Sequence, residues 1–67
     1  MKINEFNHIV LPMRTELLSY ALSVTGSADN AEDLVQEVML RLWNKREQLE
    51  AGDKLKSLAI TMARNLF

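Results

Sequence analysis

Apolar residues recur at helical intervals in three successive stretches of this chain, and nowhere do they alternate as a half-buried strand requires. In the first, Phe6, Val10, Met13, Leu17, Ala21 and Val24 keep steps of three or four, which predicts a helix from about Ile3 to Thr25. Pro12 lies inside it, lacking a backbone donor and crowding the preceding turn, so a kink or two abutting helices are expected. Gly26 suits a left-handed C-cap. Ser27 suits the N-cap of a second helix, whose first turns carry Asp29, Glu32 and Asp33 where the helix dipole favours acids. That helix should reach about Lys45 or Arg46, with Leu49 folding back on the core. Glu50-Ala51-Gly52-Asp53 reads as a turn, Asp53 capping a third helix from Lys54. On the third helix Leu55, Leu58, Ala59, Met62 and Leu66 form the expected core stripe; Ser57, Thr61, Arg64 and Asn65 form a polar side, and Ile60 and Phe67 fall on neither. The expected fold is all-α, a three-helix bundle with its first helix kinked near Pro12 and a core that includes Val10, Leu17, Ala21, Val24, Leu34, Val38, Leu42, Leu58 and Met62.

The second helix has one apolar stripe more than a fold needs. At about 100° per residue, Ala31, Leu34, Val35, Val38 and Leu42 gather on one side as a core face. The other side carries Asp29, Asp33, Gln36, Glu37 and Asn44, and in its midst Leu40 and Trp43. An apolar anchor with a polar rim is the arrangement of a helix-to-helix docking surface, and tryptophan is prominent among interface hot spots. The other reading is that a third helix, or the tail after Lys45, covers Leu40 and Trp43. The pattern leaves both open.

Length and composition narrow the function classes. Sixty-seven residues make one small domain, near the size at which folding buries only about 60% of the unfolded surface. A chain 48% hydrophobic and 25% charged is globular rather than disordered, and no apolar run reaches the length of a membrane span or a leader peptide. A cytoplasmic location is expected. The absence of cysteine excludes disulfides and thiolate metal sites. Net charge of −1 conceals a division: residues 1–40 sum to −4 and residues 41–67 to +3. The two parts can meet partners of opposite sign, or can simply complement helix dipoles. Chemistry finds no footing. His8, the one histidine, lies on the polar side of the first helix with no carboxylate facing it, and the serines have no adjacent base. Gly26 and Gly52 are too far apart for a phosphate loop, and Asp29, Asp33 and Glu37 lie along one helix side rather than converging on a cation. No enzyme activity, cofactor or metal is expected.

The run Asn30-Ala31-Glu32-Asp33-Leu34-Val35-Gln36-Glu37-Val38-Met39-Leu40-Arg41-Leu42-Trp43 closely resembles the signature helix of bacterial RNA polymerase sigma factors of the extracytoplasmic-function (ECF) group, within the sigma-70 family. Leu17 to Gly26 and Ala63-Arg64-Asn65 are similar to that family in order and spacing. The resemblance covers nearly the whole chain. It implies region two, a helical domain that holds the polymerase and opens the promoter −10 element, with residues 1–67 its N-terminal part, cut before the last DNA-binding helix. The uncapped end at Leu66-Phe67 fits that expectation.

By the same resemblance, Asp33, Gln36, Glu37, Leu40 and Trp43, with Asn44 beside them, match the contact to the clamp helices of the polymerase β′ subunit, a basic coiled coil. Arg64 and Asn65 match the end of the segment at the melted −10 strand, and Lys54 and Thr61 join them as DNA-binding candidates; phosphates need positive partners, and a flipped base needs donors and acceptors. Ser57-Leu58 departs from the family, many of whose members carry an aromatic there. The resemblance also implies an anti-sigma factor as a partner. The rival expectation is a small interaction module dimerising through Leu40 and Trp43. If Ile60 and Phe67 form an uncovered stripe, artificial self-association is expected as well.

Overall fold

The computed structural model describes residues 1–50 and 52–67, and of Asp53 the backbone alone. Helix α1 runs Ile3–Thr25, α2 runs Ala28–Asn44 and α3 runs Asp53–Leu66, with a single 3-10 turn at Arg46–Gln48 between the last two. No strand occurs among the described residues. Pro12 does not divide α1, which continues through it as one element. A 23-residue helix is about 34 Å long at 1.5 Å per residue, and the molecule's longest dimension is 33 Å. Helix α1 therefore sets the length of the bundle, and both other helices pack on it.

The corner between α1 and α2 forms as its residue types dictate. Gly26 adopts φ 68°, the left-handed region, and its N–H donates to the carbonyl of Leu22 at 3.0 Å. Ser27 Oγ then accepts from the N–H of Asn30 at 3.3 Å, capping α2. Thr25 Oγ1 donates back to the carbonyl of Ala21 at 2.8 Å. With only Gly26 and Ser27 between them, α1 and α2 are held as adjacent helices.

Their shared core consists of Phe6, Val10, Leu17 and Ala21 from α1 and Ala31, Leu34, Val35, Val38 and Leu42 from α2, all buried. Val24 and Leu49 are half-buried against it. Surface ion pairs tie the helices at the rim: Arg14 of α1 to Glu32 of α2 at 2.6 Å, and Lys56 of α3 to Glu16 of α1. Both pairs are about half exposed and contribute little, about 1 kcal/mol at most.

Helix α3 seats differently from its expected stripe. Leu55, Ala59 and Ala63 are buried, whereas Leu58 is 37% exposed, Leu66 is exposed, and Met62 is half-buried. The buried line is turned by roughly 45° from the stripe of large residues, at 100° per residue. The small side chains of Ala59 and Ala63 let the helix seat along their line, which leaves Leu58 at the surface. The same rotation brings Ile60 half-buried against the core, leaving Phe67, 68% exposed, without the partner that an uncovered stripe would need. Gly52 occupies the N-cap position and Asp53 is the first helical residue, so α3 begins one residue earlier than expected. The expected turn before it includes Ala51, which lies outside the described residues, as does the Asp53 side chain.

Candidate interaction faces

The outer side of α2 sets an exposed apolar residue among acids and amides. With its core face toward Ala31, Val35, Val38 and Leu42, the helix directs Leu40 to the opposite side at about 180°, and Leu40 is 53% exposed. Asp29, Asp33, Gln36, Glu37 and Asn44 flank it, all exposed. Among the described residues these acids have no buried partner, and of them Glu37 is paired, accepting from Arg41 Nε at 3.2 Å one turn on. At that exposure the pair orients Arg41 more than it stabilises the helix.

Neighbouring helices frame this face from both sides. Helix α1 covers the flank at Glu32, Met39 and Trp43; the Arg14–Glu32 bridge and an aromatic contact mark the seam. Helix α3 meets the other flank, where Leu66 and Phe67 with Thr25, Asn30, Asp33, Leu34 and Glu37 line an open groove of about 350 Å³. Leu40 stands between the two seams.

Trp43 does not share Leu40's freedom. Its ring packs edge to face on Phe6, with centroids 5.2 Å apart and planes at 77°, and the Arg46 guanidinium lies over it at 4.1 Å from the ring centre. Trp43 is half-buried. For this residue the covering alternative holds: α1 and the tail after Lys45 both reach it. By angle it sits about 60° from Leu40, enough for α1 to reach one residue and not the other. Periodicity within α2 did not reveal this, because Phe6 and Trp43 are 37 positions apart.

The expected DNA-binding residues divide between two sides of α3. Lys54, Thr61 and Asn65 recur at steps of seven and four and share a stripe, while Arg64 lies about 80° away. Lys54 and Asn65 are exposed and Thr61 is partly covered. Asn65 closes a hollow of about 170 Å³ with Met62, Leu66, Arg41 and Lys45. Arg41 of α2 and Lys45, the residue that caps it, thus join the polar end of α3. The i, i+4 spacing of Arg41 and Lys45 was visible in the sequence, but their proximity to Asn65 follows only from how α3 crosses α2. Lys54 stands apart, beside Leu49, Leu55 and Leu58 near the start of α3. Ser57 is exposed and provides no aromatic surface.

No group of histidine, cysteine or acidic residues able to hold a metal ion occurs among the described residues, and no helix there is long and apolar enough to cross a membrane.

The family model described as Sigma-70 region 2 matches residues 9–67. The chain is 38% identical over 58 residues to the ECF RNA polymerase sigma factor EcfG of Rhodopseudomonas palustris, covering 87% of this chain and 32% of that protein. It is 38% identical over 61 residues to SigG of Mycobacterium tuberculosis, 91% of this chain and 16% of the relative. With SigL of the same species it shares 41% identity over 51 residues, 75% of this chain and 29% of the relative. Both are named ECF RNA polymerase sigma factors. The chain thus spans about a third or less of the length of the curated relatives it matches. No solved structure matches.

Proposed function

The chain belongs to the sigma-70 region 2 family, in the ECF group, and from that premise we propose that it binds the RNA polymerase core through the outer face of α2. The observation that carries the reading is Leu40, more than half exposed at the centre of a rim made by Asp33, Gln36, Glu37 and Asn44, on a helix whose opposite side is fully packed. A fold does not require an apolar side chain there. A basic coiled coil such as the β′ clamp helices would find an apolar anchor with acids around it, which gives attraction at a distance and packing at contact.

Docking in this way leaves the solvent side of α3 free. In the full-length protein Lys54, Thr61, Arg64 and Asn65 would then stand toward promoter DNA, the cations meeting phosphate and the amide a base edge. Arg41 and Lys45 extend that basic end. Recognition and melting of the −10 element belong to the whole protein, acting in the cytoplasm where the polymerase works, with an anti-sigma factor as a competitor for the same faces. Nothing in the mechanism asks for chemistry from this chain; binding energy at one face positions the other.

A dimer through Leu40 and Trp43 has less surface available, because Phe6 and Arg46 already cover much of the indole. The deciding measurement is affinity for an isolated β′ clamp-helix coiled coil. Combined Asp33→Ala and Leu40→Ala should weaken it about tenfold or more; unchanged affinity would sink the docking assignment.

A further inference from the structure

We infer that Arg46 is a positioning residue for the docking face, acting through Trp43 with Phe6 as the fixed surface on the ring's other contact. Phe6 is 4% exposed and held in the core, so its ring is a rigid partner for the indole at 5.2 Å and 77°. Arg46 places its guanidinium 4.1 Å from the indole centre while its Nη1 donates to the carbonyl of Trp43 itself at 3.0 Å. One side chain therefore satisfies a carbonyl at the end of α2, where intrahelical donors run out, and covers the aromatic ring of the same residue. The hydrogen bond fixes where the cation can lie, and the cation restricts where the ring can turn.

The consequence reaches Leu40. Trp43 follows it by three residues, a neighbour on the helix surface, so a partner that packs on Leu40 meets the uncovered edge of the indole next. An indole already held between Arg46 and Phe6 has less rotational freedom to lose on binding than a free one. Arg46 lies in the 3-10 turn, outside α2 and outside the acidic rim, and improves affinity by preparing Trp43 rather than by touching the polymerase. The inference rests on the docking reading and goes beyond it by assigning a role to a residue off the face.

The test uses the full-length protein and an isolated β′ clamp-helix coiled coil as probe. Arg46→Ala should weaken binding about fivefold and shift Trp43 emission to the red, with Trp43→Phe as the spectral blank. Arg46→Lys, which keeps a cation able to sit over the ring, should restore most of the affinity. Arg46→Gln, which keeps a donor for the Trp43 carbonyl without the charge, carries the test if Arg46→Ala does not fold. In a Trp43→Ala background, Arg46→Ala should have no further effect. An undiminished loss in that background would mean that Arg46 touches the partner directly, which overturns the inference. If Leu40→Ala weakens binding while Arg46→Ala and Arg46→Gln do not, the inference fails and docking stands. If Leu40→Ala has no effect either, docking fails and takes the inference with it.

Discussion

Leu40 and Leu42 are two residues apart on α2 and should behave as though they belonged to different proteins. Leu42 is 0% exposed and among the largest fully buried side chains; Leu40 is 53% exposed on the opposite side. Truncating Leu42 to alanine removes buried methyl groups and leaves a cavity, which costs about 3 kcal/mol within a range of roughly 2 to 5. A domain of this length has about 3 to 10 kcal/mol to lose, so Leu42→Ala should lose a large part of its stability and be partly unfolded if it starts at the lower end. Leu40→Ala forfeits only partial burial and gains slightly in helix propensity, so its change should stay within about 0.5 kcal/mol. Urea titration followed by far-ultraviolet circular dichroism separates the two. At a slope of about 1 kcal/mol per molar, expected for a small domain, Leu42→Ala should lower the midpoint by about 3 M and Leu40→Ala by about 0.5 M or less. Affinity for the clamp coiled coil should reverse the order of importance, with folded Leu40→Ala the weaker binder. Equal losses of stability would refute the division of α2 into a folding face and a docking face.

Two further outcomes test how the helices are joined and seated. Gly26→Ala introduces a methyl group that meets nothing within 4 Å, so its cost is confined to holding alanine at φ 68°; about 1 kcal/mol and a melting temperature lower by about 5 °C are expected, and an unchanged melting temperature would remove the left-handed cap from the account. Ala63→Leu overfills a position that is 0% exposed and should destabilise by about 1 to 3 kcal/mol, whereas a neutral result would show that α3 does not depend on close approach along its alanine line.

Much of the fold was legible along the chain because its signals are local. The end of α1 at Thr25, the glycine corner, the Ser27 cap and the core face of α2 each depend on residues within a turn or two of one another, and helical periodicity with capping chemistry reports such things directly. Leu40 was legible for the same reason: its position opposite Ala31 and Leu42 follows from the helix's own geometry. Pro12 was expected to kink or divide the first helix, yet α1 runs through it as one element with Val10 and Met13 packed on either side.

What the sequence determined by itself was therefore an all-α chain of three helices, the acidic and basic division between its halves, and the surplus leucine on α2. The tertiary structure decided the rest. Large residues at 58 and 66 predicted one seating of α3, and the structure buries the alanines at 59 and 63 instead, side chains small enough to let a helix pack against its neighbours. Trp43 looked like Leu40's twin until α1 brought Phe6 beside it and the turn after α2 brought Arg46 over it. Periodicity describes one helix at a time. Which flank of α2 is covered and which remains open depends on where two other helices cross it, and distances between residues remote in sequence exist only once the chain has folded.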